Sequence, residues 1–303
     1  MVWLALITVY VVWGSTYFAI ALVVQSMPPL LTAGVRFLAA GLILAAYVGL
    51  RDRAALAVPR RQLLGSATVG VLLLAGGNGL VSLGERTVPS GLAALIIASI
   101  PLWIVILRLV AGDHVRRDVI LGVSIGIVGV GVLVVPSGVS GEVDPAGLVM
   151  LVGAALLWAT GTFISTRVEM PRSAFASTAY QMVAAGVVLV VVGPLLGELR
   201  SVDLAKFTLT SLAGFAYLVI FGSLIAFSAY TWLLQNAPVS LVSTYAYVNP
   251  VVAVFLGALF LAEPITPTML AGAALILAAV AFIVRRSATR AVATTRAAVS
   301  RSA

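Results

Sequence analysis

Long uncharged runs dominate this chain and leave few ways for it to fold. Ten apolar runs follow one another, separated by short gaps that hold most of the charges. A helix needs roughly 20 apolar residues to cross a bilayer, whereas a membrane-barrel strand needs about 9–11. The runs therefore predict an all-helical integral membrane protein. They cover residues 2–24, 30–50, 62–83, 89–110, 118–135, 146–167, 173–193, 211–234, 239–261 and 267–285.

The charge content supports the same class. Only 9% of the 303 residues are charged and 62% are hydrophobic, whereas soluble domains carry about 25% charged residues. The net charge of +8 would suit a nucleic-acid partner in a soluble protein. Here most of the arginines lie in the gaps between apolar runs, so we expect a lipid bilayer as the partner and no nucleic acid.

Lysine and arginine are distributed unevenly between alternate gaps. With the N-terminus placed in the cytoplasm, the cytoplasmic gaps and the tail hold 14 of them and the opposite side holds 3. The excess predicts that both termini are cytoplasmic, which requires an even number of spans. The cytoplasmic set is Arg51, Arg53, Arg60, Arg61, Arg108, Arg116, Arg117, Arg167, Arg172, Arg285, Arg286, Arg290, Arg296 and Arg301; the opposite set is Arg86, Arg200 and Lys206.

The chain also contains an internal repeat. "VVWGSTYF" around Trp13 matches "LLWATGTF" around Trp158, and the same shift of 145 residues aligns "RFLAAG" (36–41) with "QMVAAG" (181–186). Prolines 12 residues apart recur at 89 and 101 and at 238 and 250. Five helices per repeat is an odd number, so the second half must enter the membrane in the opposite orientation. The predicted fold is ten transmembrane helices in two inverted five-helix repeats, typical of secondary transporters.

Three segments carry a resemblance to a known family. "WGSTYFAI" (13–20), "PPLLTAGVRFLAAG" (28–41) and "YAYVNPVVAVFLGALFLAEPIT" (245–266) resemble the EamA-type members of the drug/metabolite transporter superfamily. The resemblance implies EamA-like repeats at 1–135 and 146–286 and a place in the bacterial inner (plasma) membrane. The composition of residues 287–303, rich in Ala, Thr, Ser and Arg, predicts a disordered basic cytoplasmic tail or a membrane-surface segment. One departure is that the fourth helix ends in "AGDHV", with His114 where the family often has the glutamate that Glu263 supplies in the ninth.

The first apolar run carries polar residues near its middle. Trp13, Thr16 and Tyr17 are spaced i, i+3 and i+4, so they share one helix face about halfway across the bilayer. We expect this face to line a central substrate cavity. Gly14 and Ser15 are equally consistent with close helix packing.

Arg36 is the only charge well inside a predicted span. A charge there costs several kcal/mol unless it is paired or hydrated. Two interpretations remain open. Arg36 either contacts an anionic substrate or acts as a gate, or it snorkels or forms a structural ion pair near the end of its helix, with Glu85 as the candidate partner.

Further candidate cavity residues lie beside helix-distorting glycines and prolines. Asn78 follows Gly76 and Gly77, and Pro101 and Pro250 are expected to kink the fourth and ninth helices. Structural kinks and ordinary interhelical hydrogen bonds remain alternatives. The candidates near the two prolines are Ser99 and Trp103, and Tyr245, Tyr247 and Asn249; Trp158 and Gln181 are candidates in the second repeat.

Nothing in the sequence indicates catalysis or a cofactor. The chain has one histidine and no cysteine, which argues against a transition-metal site, and no phosphate-binding loop indicates ATP as the driver. We expect no enzyme activity, no metal and no cofactor. Coupling is expected to be absent or weak, with proton antiport through Glu85 or Glu263 as the alternative.

The sequence therefore predicts a secondary transporter, most simply an exporter. Its substrates would be small metabolites such as amino acids or aromatic and amphiphilic compounds, moved by alternating access through a central cavity. A passive channel, a lipid scramblase and a proton-driven multidrug efflux protein are the alternatives. The protein would act either as a monomer or as a homodimer.

Overall fold

The backbone is helical throughout the part of the chain that can be described. A computed structural model describes residues 1–115, 117–134, 144–237, 239–242 and 244–282, and contains no strand in those ranges. The predicted tail at 287–303 lies outside these residues. The all-helical class is confirmed.

Seven helices are long and apolar enough to cross a membrane, and three shorter apolar helices accompany them within the described ranges. The shorter helices are α5, α9 and α10, so helix length alone does not establish ten crossings. In chain order the helices are α1 (Val2–Val24), α2 (Pro29–Arg51), α3 (Arg60–Gly84), α4 (Ser90–Val110), α5 (Arg117–Val134), α6 (Pro145–Ser165), α7 (Ala174–Leu195), α8 (Leu209–Leu233), α9 (Val239–Val242 and Tyr245–Phe260) and α10 (Pro267–Phe282).

Three of these helices are irregular near their middles, and a fourth, α9, is irregular near its start. α3 is π-helical over Val71–Asn78 and α8 over Leu218–Phe227. α4 is interrupted between Ile97 and Ile100, and Pro101 lies in the first turn of its second part, where a missing N–H is tolerated. α9 is interrupted after Val242. Irregular backbone at membrane depth is tolerated where it lines a cavity or packs against protein.

α2 and α7 pack closely enough for their backbones to touch. A Cβ atom at Gly186 would lie 2.7 Å from the backbone nitrogen of Leu38, and one at Gly41 would lie 2.9 Å from the backbone nitrogen of Val183. Small residues allow such approach where lipid supplies no hydrophobic drive for association. This pair joins the two sequence repeats.

Large apolar side chains cover the outside of the bundle. Trp3, Val149 and Phe255 are 67%, 68% and 62% exposed, on helices from both halves. Monomeric soluble proteins rarely expose large contiguous apolar patches. The exposed apolar surface is suited to lipid.

Two helix N-termini are capped by carboxylates from distant loops. Glu198 accepts hydrogen bonds from the backbone nitrogens of Leu30 and Leu31 at 3.0 and 2.8 Å. Glu263 accepts from Ser90 and Gly91 at 2.7 and 3.0 Å. Neither helix has a capping side chain of its own, since a proline occupies each N-cap. Each cap ties a loop of the second repeat to a helix of the first.

Candidate functional site: a cavity between the two repeats

A cavity lies between helices of the two repeats. It encloses about 680 Å³ of space, including the part open to solvent. Its lining residues are Trp13, Thr16, Tyr17, Ile20, Arg36, Phe37, Leu74, Gly77, Asn78, Val81, Ile97, Ile100, Ala154, Trp158, Met182, Gly222, Ser223, Phe227, Tyr245 and Asn249.

Trp13 is the centre of an aromatic cluster on one side of this cavity. Its ring centroid lies 6.2 Å from that of Trp158 and 5.4 Å from that of Tyr245, both edge-to-face. Phe227 and Tyr230 pack against it at 5.9 and 4.8 Å. Its indole nitrogen donates to the carbonyl of Gly222 at 3.3 Å, in the π-helical part of α8. The cluster offers apolar ring surface drawn from α1, α6, α8 and α9.

Arg36 supplies the charge of the cavity. Its side chain is buried, and Nε donates to Ser223 Oγ at 2.9 Å. Nη1 lies 3.5 Å from Asn78 Oδ1, a long hydrogen bond, and the guanidinium also lies 4.8 Å from the centroid of the Phe37 ring. Every oxygen in these contacts is uncharged.

The repeat relates the two partners of Arg36 to each other. The shift of 145 residues that aligns Trp13 with Trp158 also carries Asn78 onto Ser223. Both partners lie in the π-helical parts of α3 and α8. The same shift carries Arg36 onto Gln181, so the second repeat has no charge at this place. The equivalent side chains Asn78 and Ser223, one from each repeat, both contact the arginine of the first repeat.

The cavity brings together eight of the twelve side chains expected to line it. They are Trp13, Thr16, Tyr17, Arg36, Asn78, Trp158, Tyr245 and Asn249. Their roles in transport stay predictions.

Four candidates are placed elsewhere or cannot be placed. Trp103 donates to Ser99 Oγ at 3.2 Å, and Ser99 in turn donates to the carbonyl of Ile96. Gln181 is buried and donates to Ser177 at 3.0 Å. None of Ser99, Trp103 and Gln181 is part of the cavity lining. The side chain of Tyr247 lies outside the described part of the chain.

Sequence reasoning missed three lining residues on α8. Gly222, Ser223 and Phe227 sit in "LVIFGSLIAF", where a lone serine gives little signal. The signal was nonetheless available, because the 145-residue shift already pointed from Asn78 to Ser223.

The structure shows no ion pair between Arg36 and its candidate partner Glu85. No carboxylate lies within 4.0 Å of Arg36 among the described residues. Both carboxyl oxygens of Glu85, just after the end of α3, are buried without a hydrogen-bond partner in the described part. Burial raises the pKa of Glu85 well above its ordinary value, and repulsion from Glu263 raises it further.

The segment "AGDHV" after α4, which departs from the family pattern, places Asp113 in an ion-pair cluster. Asp113 pairs with Arg167 at 2.8 Å and with Arg108 at 3.2 Å, in a partly exposed cluster. These hydrogen bonds, chiefly that from Arg167, lower the pKa of Asp113. Glu263, which follows α9 at the place equivalent to His114, instead caps α4. The two acidic residues therefore have different contacts.

Comparisons with known proteins agree with this architecture. The EamA-like transporter family matches twice, over residues 1–135 and 145–285. The Escherichia coli (strain K12) "Uncharacterized inner membrane transporter YedA" is 43% identical over 258 residues, covering 84% of this chain and 80% of that protein. "Protein PecM" of Dickeya dadantii is 31% identical, covering 90% and 88%.

More distant relatives extend over nearly the whole chain. A Salmonella typhimurium protein named "Probable amino-acid metabolite efflux pump" is 28% identical, covering 94% of this chain and 96% of that protein. A solved crystal structure superposes with a TM-score of 0.64 at 20% identity, covering 93% and 97%, which shows a shared fold.

These matches cover both halves and include inner-membrane transporters by name. They indicate a transporter rather than an enzyme, and a multi-pass protein of the inner membrane. The chain belongs to the EamA-like transporter family.

Proposed function

We propose that this protein is a secondary transporter that exports small metabolites by alternating access. The observation that carries the proposal is the cavity, which is lined by aromatic and polar side chains from both repeats. A relative named as an amino-acid metabolite efflux pump supports export. Trp13 and Trp158, related by the repeat, meet edge-to-face in this cavity.

The proposed topology is ten spans in two inverted five-helix repeats. The short helices α5, α9 and α10 would complete the count, with both termini in the cytoplasm as the arginine distribution favours. The Glu198 and Glu263 caps would then lie on the outer side, and the Asp113 cluster on the inner side. Rocking of one repeat against the other would expose the cavity alternately to each side.

Proton antiport is a second candidate, and Glu85 is the residue that favours it. Its unpartnered, buried carboxyl group lies close enough to Tyr17 and Glu263 to interact electrostatically with both. Burial of this kind favours the protonated form of a carboxyl group, and a nearby positive charge or water would favour release of the proton. Glu263 is less suited, because two backbone N–H groups hold its carboxylate.

Counter-flow in proteoliposomes tests both candidates. Vesicles loaded with an unlabelled amino acid or aromatic metabolite should accumulate the labelled compound transiently and saturably. Non-saturable flux without counter-flow would favour a channel and contradict the proposal. Repeating the assay with a pH gradient, for the wild type and Glu85→Gln, separates the coupling modes. Uphill uptake that is driven by the pH gradient in the wild type and lost in Glu85→Gln would support antiport. Wild-type uptake that is the same with and without the gradient would exclude it.

A further inference from the structure

We propose that Arg36, held by Asn78 and Ser223, is the binding site for a carboxylate group of the transported substrate. The inference deepens the proposed function and rests on it. It assigns the substrates to one chemical class, small organic monocarboxylates with an aromatic or apolar body, and it disfavours cationic compounds.

The first step is the incomplete neutralisation of Arg36. The residue is 5% exposed, and it bonds only to the neutral side chains of Ser223 and Asn78. A buried charge is stable when it is paired or well hydrogen-bonded. Most of the N–H groups of this guanidinium have no acceptor among the described residues. Its planar donor array matches a carboxylate in bidentate geometry.

The second step is that hydrogen bonds fix the position of the guanidinium. Nε donates to Ser223 Oγ, and Nη1 faces Asn78 Oδ1. A Cβ atom at Gly222 would lie 3.2 Å from Nη2, so a larger residue there would crowd the group. The contacts come from equivalent places in the two repeats and from the irregular parts of α3 and α8. Preorganised donors of this kind lower the ordering penalty of binding.

The third step concerns the rest of the cavity. Arg36 is the only Lys, Arg, His, Asp or Glu among its lining residues. A bound anion therefore meets no repulsive carboxylate, whereas a cation would meet the guanidinium without a counter-charge. The Trp13, Trp158, Phe227 and Tyr245 rings provide the apolar surface. An amino acid is accommodated if its ammonium group lies over a ring face.

Binding and transport by a matched probe set test the site. The probes are phenylacetate, phenylalanine and phenethylamine, which share a benzene ring and differ in charge. In detergent-purified protein, thermal-shift titration should show saturable stabilisation by phenylacetate and phenylalanine and little by phenethylamine. Losing charge-assisted hydrogen bonds should weaken carboxylate binding roughly 10- to 100-fold in Arg36→Gln.

Two further variants keep the test independent of folding. Gln181→Ala, altered at the equivalent place in the second repeat, should keep wild-type affinity for phenylacetate. Arg36→Lys keeps the charge without the bidentate geometry and should lie between wild type and Arg36→Gln. If Arg36→Gln does not fold, two other results can overturn the proposal. One is an Arg36→Lys protein whose affinity for phenylacetate is undiminished. The other is a wild-type protein that binds phenethylamine more tightly than phenylacetate.

The failure of this site can be told apart from the failure of the transporter. Carboxylate binding lost in Arg36→Gln, without counter-flow in the wild type, would support the anion site and contradict the proposed transport. Counter-flow of phenylalanine that survives in Arg36→Gln with unchanged affinity would support the transporter and overturn the role of Arg36.

Discussion

Trp13 combines extensive aromatic packing with a hydrogen bond to a distant helix. Its ring meets four other aromatic rings, while its indole N–H satisfies a carbonyl of the irregular α8 helix. A buried aromatic side chain contributes several kcal/mol, and each aromatic pair adds about 0.5–1.5 kcal/mol beyond area. The residue therefore packs one wall of the cavity and joins α1 to the π-helical part of α8.

Replacing Trp13 by phenylalanine separates these contributions. The change keeps an aromatic ring but removes the hydrogen bond to Gly222, so we expect a loss of about 1–2 kcal/mol in unfolding free energy. We also expect weaker binding of aromatic substrates. Chemical denaturation in detergent and a KM measurement check the two effects. Trp3→Phe, at a site that is 67% exposed, is the control and should change neither; equal effects at both positions would refute a special role for Trp13.

The residues found and missed by sequence reasoning differ in a physical way. Trp13 and Arg36 are unfavourable in lipid, so their positions alone pointed to a protein interior. A serine such as Ser223 costs little free energy in a membrane helix, because its hydroxyl can bond to the backbone of its own helix. Its proximity to Arg36 is visible only in the fold. Trp103 donates to the hydroxyl of Ser99, four residues earlier in the chain, and its expected role in transport stays a prediction.

At the scale of elements, the Glu263 cap depends on a glycine. A Cβ atom at Gly257 would lie 2.2 Å from Oε2 of Glu263, so alanine there would displace the carboxylate. The backbone reverses at Ala262, whose φ of 53° lies in the left-handed region. Carboxylates at helix N-termini are stabilised by free N–H groups and by the helix dipole. The end of α9 is thus shaped to cap α4.

A double-mutant cycle should reveal this dependence. Glu263→Gln removes the charge and should lower the unfolding free energy by about 1.5–3 kcal/mol, the range for hydrogen bonds to charged groups. Gly257→Ala should cost at least as much. The two changes together should cost clearly less than their sum, because either one already breaks the cap. Strict additivity in thermal or chemical unfolding would contradict the coupling.

Glu169→Gln provides the reference for that cycle. Glu169 forms an exposed ion pair with Arg61 at 3.8 Å, and exposed pairs contribute little. We expect no measurable change in unfolding.

For the whole molecule, the arginine distribution and the repeat predict which side each loop faces. Ala57 precedes α3 and Ala205 precedes α8, and both are exposed. The chain has no cysteine, so single cysteines can be introduced without background. A membrane-impermeant maleimide should label Ala205→Cys in intact spheroplasts, and Ala57→Cys only after permeabilisation. The opposite pattern would invert the topology, and labelling of both would contradict the span count.

The helical class and the twofold repeat could be predicted because run length, charge bias and self-similarity are linear properties of the sequence. The glycines beside Asn78 and the prolines at 101 and 250 predicted distortion of α3, α4 and α9 but not its form, and the π-helical part of α8 was not predicted. That part of α8 contacts a distant segment, as the hydrogen bond from Trp13 to Gly222 shows, and linear patterns do not report such contacts.

Arg36 is the only charged residue in the lining of the cavity between the two repeats, and this has an electrical consequence. If Arg36 binds a monoanion as proposed, the charge of the anion would cancel that of Arg36, and the loaded protein would change its access without moving net charge at the site. The empty protein would carry one positive charge through the same change of access. An inside-negative potential of 100 mV favours the return of that charge toward the cytoplasm by up to about 2.3 kcal/mol. The resting voltage of the cell alone would then expel an organic acid, with no ion gradient consumed.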